Sequence, residues 1–184
     1  MTRRLPAGCA EKPRRARFFS ALLALLCALL PSAARAQKVD LALYTLGASG
    51  LSATAGDGGT AKRRSPLLLE FEVGAGFEPD PRWEWTGGLM AEVEGRTSLG
   101  INPQLRRLMG GGRVQGYAIV GVPAFFSPFT MMGFEVGGGV ISKVASWVSL
   151  VLELRADFFF VGSDLPDDNM LSKFDVALGL RLPL

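Results

Sequence analysis

The sequence predicts an all-β fold, a closed antiparallel up-and-down transmembrane β-barrel of about eight strands. Three observations lead there. Apolar residues alternate with polar ones or glycine at period two through much of residues 37–184, the signature of a strand with two unlike faces. The alternating runs reach about a dozen residues, longer than the usual five or six of globular strands and suited to a tilted bilayer crossing. The first 36 residues are laid out as an export leader.

In that leader, Arg3, Arg4, Lys12, Arg14, Arg15 and Arg17 precede an apolar run from Phe18 to Leu30, followed by Pro31 and the tripeptide Ala34-Arg35-Ala36. Basic, apolar and small-residue regions in that order make a secretory signal peptide, with cleavage expected before Gln37. The 13 residues from Phe18 to Leu30 fall short of the roughly 20 that a membrane-spanning helix needs. Leu26 before Cys27 is not the small residue a lipoprotein site requires. Removal of residues 1–36 leaves 13 basic and 16 acidic side chains, a net charge of −3, and no cysteine. The basic balance of the whole chain therefore belongs to the leader and gives no reason to expect nucleic acid. No disulfide, thiolate nucleophile or zinc-thiolate site is expected in residues 37–184, which suffice for one domain.

Seven candidate strands follow in order. Weak alternation marks Val39 to Leu46. From Leu67 one face reads Leu67, Leu69, Phe71, Val73, Ala75, Phe77 and the other Leu68, Glu70, Glu72, Gly74, Gly76, Glu78. After the turn residues Pro79-Asp80-Pro81, Trp83, Trp85, Gly87, Leu89, Ala91 and Val93 oppose Glu84, Thr86, Gly88, Met90, Glu92 and Glu94, so these two runs form a hairpin. Weaker runs cover Val114 to Ala124 and Met132 to Val140. Val148, Leu150, Leu152, Leu154, Ala156, Phe158 and Phe160 then alternate with Ser149, Val151, Glu153, Arg155, Asp157 and Phe159. Last, Phe174, Val176, Leu178, Leu180, Leu182 and Leu184 alternate with Lys173, Asp175, Ala177, Gly179, Arg181 and Pro183. Gly47 to Ser65 reads as a mobile exposed loop. Asn102-Pro103 with Gln104 to Met109 reads as a helical turn or two inside a second long loop, and Ser163 to Asn169 as an acidic turn. An even strand count is expected, which leaves an eighth strand to be found within 47–65 or 96–112, the two stretches that read as loops.

Alternation alone also suits a soluble sandwich. The character of the faces favours a membrane: large aliphatics with aromatics near strand ends on one side, carboxylates, glycines and serines on the other. Lipid offers the backbone no hydrogen bonds, so only a closed sheet satisfies it there. Phe77, Trp83, Trp85, Phe158, Phe160 and Phe174 lie where an interfacial aromatic girdle would.

On the leader, the amphipathic strands and the terminal strand Phe174 to Leu184, the chain resembles the small outer-membrane barrel proteins of Gram-negative bacteria, the class that includes OmpX-like and OmpW-like barrels. The resemblance implies an outer-membrane location, lipid as the surrounding partner, and an assembly machinery that reads the last strand during biogenesis. In that class the last residue is usually aromatic; here it is Leu184. A monomer is expected.

The chain contains no histidine. The barrel enzymes of similar architecture, lipid-A deacylases, phospholipases and aspartyl-type proteases, centre their chemistry on one, so no catalytic residue, metal ligand or cofactor site is assigned. The inward face is expected to gather a structural charged cluster of Glu70, Glu72, Glu92, Glu94, Glu135, Glu153, Arg155, Asp157, Asp175 and Arg181, with Arg113 and Lys173 beside it. Small barrels fill their interiors with such pairs. The acidic excess points to raised carboxylate pKa values, bound cations or trapped water. Gly110 to Gly112 and Gly137 to Gly139 complete no phosphate-binding pattern, since Gln115 and Ser142 stand at the decisive positions, and they suit tight bends or close strand packing. The expected function is a non-enzymatic structural or loop-mediated role. A narrow channel or carrier for small or hydrophobic solutes, and a soluble periplasmic barrel or sandwich binder, are the alternatives.

Overall fold

A computed structural model describes residues 39–56, 59–77, 80–95, 97–163, 165 and 170–184. The expected leader and its cleavage site lie outside the described residues, as does most of the acidic turn 163–169. Eleven strand segments follow one another: β1 (Val39–Gly56), β2 (Gly59–Arg64), β3 (Leu68–Phe77), β4 (Trp83–Glu92), β5 (Ser98–Ile101), β6 (Gln104–Met109), β7 (Val114–Gly121), β8 (Ala124–Ser127), β9 (Met131–Ala145), β10 (Val148–Gly162) and β11 (Met170–Pro183).

They make eight antiparallel staves, because three pairs of segments are single staves broken at a proline: β2 with β3 at Pro66, β5 with β6 at Pro103, β7 with β8 at Pro123. Proline has no N–H to give the ladder, so pairing stops there. Neighbouring bonds carry the wall across the breaks: Asn102 N–H donates to the Gly88 carbonyl at 3.1 Å and Val122 N–H to Pro103 at 3.0 Å. The ring closes through β1, which pairs with β3 from Val39↔Phe77 to Ala48↔Leu68. On its other edge β1 pairs with β11, from Ala42↔Pro183 to Ala55↔Met170. No soluble sandwich is formed.

The faces are inverted relative to a water-soluble protein. Phe71, Trp85, Leu89, Leu150, Leu154, Phe174 and Leu178 are exposed on the outside, while Glu70, Glu72, Arg106, Glu135, Glu153 and Arg155 are buried inside. Phe158 and Phe174 meet edge to face on the outer wall, centroids 6.2 Å apart.

Two loop readings are corrected. Residues 47–56 and 59–64 are strand rather than loop: β1 runs on to Gly56 and pairs with β2 in register from Leu51↔Arg64 to Gly56↔Gly59. Small residues there blur the alternation, and the ladder with β11 on the far edge supplies the regularity. Residues 104–109 are not helical: β6 pairs with β7 from Gln104↔Gly121 to Met109↔Gly116. Its leucines sit at helical spacing because a polar lumen takes Arg106 inward while Arg107 stands on the outer side. The stave of β5 and β6 is the eighth strand that the alternation does not reveal.

Candidate functional site in the barrel lumen

The lumen is stacked in tiers. At the end holding the β3–β4, β6–β7 and β9–β10 turns, Ala42, Tyr44, Leu46, Tyr117, Ile119, Ile141 and Val151 form an apolar layer. At the opposite end Leu68, Met90, Phe125, Met131, Phe159 and Leu171 form another. The charged cluster lies between them. Apolar layers on both sides lower the local dielectric, which strengthens each pair and raises the cost of any charge left unpaired.

Two guanidinium groups organise that middle tier. Arg106 donates to Glu72 at 2.6 Å, lies 3.6 Å from Glu153, and rests over the Tyr44 ring at 4.3 Å. Arg155 donates to Glu70 at 2.7 Å and lies 3.6 Å from Glu153 and 3.8 Å from Glu135. Neutral donors complete the web: Tyr117 donates to Glu153 at 2.9 Å and Asn102 to Glu135 at 3.0 Å. Period two of β10 sets Glu153, Arg155 and Asp157 on one face, and cross-strand register brings Glu135 opposite Asp157 and Asp175 opposite Arg155. One oxygen each of Glu70, Glu72, Glu135, Glu153, Asp157 and Asp175 has no hydrogen-bond partner among the described residues. Four of these carboxylates, Glu70, Glu72, Glu135 and Glu153, lie within ion-pair distance of the two guanidinium groups.

Toward each mouth a further pair stands apart from that web. Lys173 is hydrogen-bonded to Glu92, which also accepts from Ser98 at 2.6 Å. Arg181 donates to Tyr44 at 2.8 Å and to Glu84 at 3.1 Å, while the Tyr44 hydroxyl is bonded to Glu84. Among the described residues no three acidic side chains converge at metal-ligating spacing.

Of the residues expected inside, Glu70, Glu72, Glu92, Glu135, Glu153, Arg155, Asp157 and Asp175 are buried there with Lys173, and Arg181 is half-buried at the rim. Glu94 is a correction. It follows the end of β4, where the alternation no longer fixes its side, and forms an exposed pair with Arg64 at 2.9 Å. Arg113 is a second. It sits exposed in the β6–β7 turn, donating to the Lys143 carbonyl at 3.3 Å. Sequence reading missed Arg106, the most enclosed cation of the lumen, because its segment was read as helix. It left out Glu84 although the period-two pattern had set that residue on the polar face.

The glycine runs serve packing and turning. An added Cβ at Gly139 would fall 2.8 Å from the Tyr117 ring, and one at Gly137 3.0 Å from Arg155 Cβ, so these inward glycines make room for larger neighbours. Gly110 and Gly112 adopt φ of +79° and +87° in the β6–β7 turn, a region that favours glycine.

Outside the wall, Arg107 bonds Asp80 of the β3–β4 turn at 2.7 Å and lies 4.7 Å over the exposed Trp83 ring. The Arg107 hydrogen bond, with a second from the Arg82 N–H, holds the Asp80 carboxyl below its usual range.

A closed ring of eight antiparallel staves with an apolar exterior and a charged interior is the architecture of a small transmembrane β-barrel. Neisserial surface protein A has a similar solved structure, at 13% identity and a TM-score of 0.57, with 79% of this chain and 98% of that one covered. The N-terminal β-barrel domain of OprF from Pseudomonas aeruginosa is similar at 11% identity and a TM-score of 0.56, over 80% of this chain and 99% of that domain. No protein-family model and no curated protein matches the sequence.

Proposed function

We propose that the chain is a non-enzymatic barrel of a Gram-negative outer membrane whose role is structural and whose lumen does not conduct. The observation that carries this reading is the enclosure of the middle tier. Arg106, Gln104, Glu70, Glu135 and Glu153, contributed by β3, β6, β9 and β10, are buried to under 2% exposure in the barrel's interior. Arg155 bonds Glu70 across the lumen, Gln104 accepts from Thr86 on the neighbouring stave, and apolar layers cap the tier at both ends. A small barrel filled by its own side chains fits this description. The leader pattern, the apolar outer wall and the likeness of fold support the outer-membrane address. Residues 47–56 and 59–64 form strand, so contacts with other molecules fall to the β1–β2 arm and the short connections at that end.

Planar-bilayer recording tests the reading. After verified insertion the native barrel is expected to give no discrete steps, and reproducible cation-selective steps would overturn it in favour of a channel.

A further inference from the structure

We propose that the end of the barrel carrying the β1–β2 arm holds a binding site for a single-chain anionic amphiphile, set at a seam in the wall. The ladder between β3 and β4 ends at Leu68↔Glu92. Beyond it β2 pairs with β1 and, among the described residues, with no strand on its other edge. One more backbone bond, from Val93 N–H to the Leu67 carbonyl at 2.9 Å, continues the β3–β4 ladder, and beyond it Glu94 takes over, accepting from Leu67 N–H at 3.1 Å and pairing with Arg64.

At this seam lies a cavity of about 550 Å³ walled by Arg63, Arg64, Pro66, Glu94 and Phe129. Arg63, Pro66, Glu92 and Phe129 also line a second space of about 100 Å³, whose inner wall includes Met131, Leu171 and Lys173. The two spaces therefore adjoin, the outer one bordered by Arg63 and Arg64 and the inner one by Met131 and Leu171, which join Phe125 and Phe159. The outer volume falls in the range of about 300–1,000 Å³ typical of ligand sites.

The charges select the head of the ligand. Lys173 is neutralised by Glu92 and Arg64 by Glu94. Arg63 stands in register with the buried, inward Ser52, borders both spaces, and has no ion partner among the described residues. A phosphate or carboxylate head on Arg63 with its chain laid toward Met131 and Leu171 covers both features. A small inorganic anion would leave the apolar end uncovered, and an uncharged lipid would leave Arg63 without a counterion. The site needs no conduction through the lumen, so it is independent of the closed-lumen reading.

The test follows the methionine methyl NMR signals of the amphipol-held barrel, labelled with ¹³C, during titration with dodecyl phosphate below its micelle concentration. The expected result is a saturable shift of Met131, with the outer-wall Met132 signal unmoved. Arg63→Gln should weaken the apparent affinity at least tenfold, and Met131→Trp, followed through the ³¹P signal of dodecyl phosphate, should abolish saturation by filling the inner space. An unmoved Met131 would overturn the proposal, as would an Arg63→Gln barrel that binds like the native one. An equal effect from inorganic phosphate would reduce the site to an anion site. An equal effect from dodecyl maltoside, or a parallel shift of Met132, would show apolar partitioning. Either of the last two results would also overturn it. Arg63 is exposed on β2, so its replacement leaves the fold intact and the affinity comparison readable if Met131→Trp fails to fold.

Discussion

Arg155 bonds Glu70 through one nitrogen while its Nε and second terminal nitrogen find no acceptor among the described residues. The attraction is therefore spread over Glu70, Glu135 and Glu153 rather than spent in one bidentate pair. Breaking a buried pair from one side leaves uncompensated charge, so Arg155→Ala is expected to destabilise the barrel by about 3–5 kcal/mol. Glu70→Gln in the same chain should recover part of that loss, because Glu70 is the nearest carboxylate. Denaturant midpoints in micelles check both, and unchanged midpoints would mean the tier is open to water. Asp80 poses the opposite case, a carboxylate at the surface. Its folded pKa lies below the unfolded value, so its contribution is present above the unfolded pKa of about 3.9 and is lost as pH falls through the lower folded value. Asp80→Asn should thus lower the unfolding midpoint slightly at neutral pH, and the difference from native should close in strong acid. A pH series of thermal midpoints measures this. A gap that widens on acidification would contradict the sign.

At the scale of the element, β10 shows how one period sets two environments. Leu150, Leu152 and Leu154 are exposed on the outside; Val151, Glu153 and Arg155 are buried within. Leu152 lies mid-strand, whereas Val144 lies one residue from the end of β9. An arginine on the lipid face costs about 2–4 kcal/mol near the midplane and about 0–1 near the interface. Leu152→Arg should therefore be severe and Val144→Arg mild when both are unfolded by guanidinium from vesicles. Equal costs would mean that β10 does not cross the hydrocarbon as its outer face implies. Val151→Arg makes a poor control, since Val151 is packed in the apolar layer and would be damaging for a different reason. The proline breaks belong to this scale too. Each removes one ladder donor, yet the bonds from Asn102 and Val122 carry the wall past Pro103.

For the whole molecule, closure of β1 on β11 removes the sheet edges that would otherwise be exposed to lipid. The one long free edge among the described residues is that of β2, where exposed Lys62, Arg63 and Arg64 stand. Charged side chains at such an edge discourage pairing with a second chain, in keeping with the expected monomer. Export is the remaining property at this scale. If the leader is removed at Ala34-Arg35-Ala36, the intact mass of the membrane-extracted protein should correspond to a chain starting at Gln37 without cysteine. A mass that retains residues 1–36 would rule out cleavage.

How much of this was legible from residues alone depends on where a residue sits along the wall. In the lipid-crossing stretches of β3, β4, β10 and β11, one face had to be apolar, and alternation therefore declared the strands, their facing and the burial of Glu70, Glu72, Glu153, Arg155, Asp157 and Asp175. Beyond the lipid that constraint lapses. The outer half of β1 and β2 carry small or mixed residues there, and the β5–β6 stave is instead split by Pro103 within the wall; their strand character comes from neighbours in the ring, so they read as loop and helix. Partner choice was hidden for a related reason. Period two names the face a carboxylate shares but not which cation reaches it across the lumen, and Arg155 meets Glu70 only because the closed ring brings β10 and β3, far apart in sequence, to face one another. The sequence by itself determined a membrane barrel with an acidic interior. Ring closure and the partners of each buried charge came from the tertiary structure alone, because both depend on contacts between residues that no local pattern links.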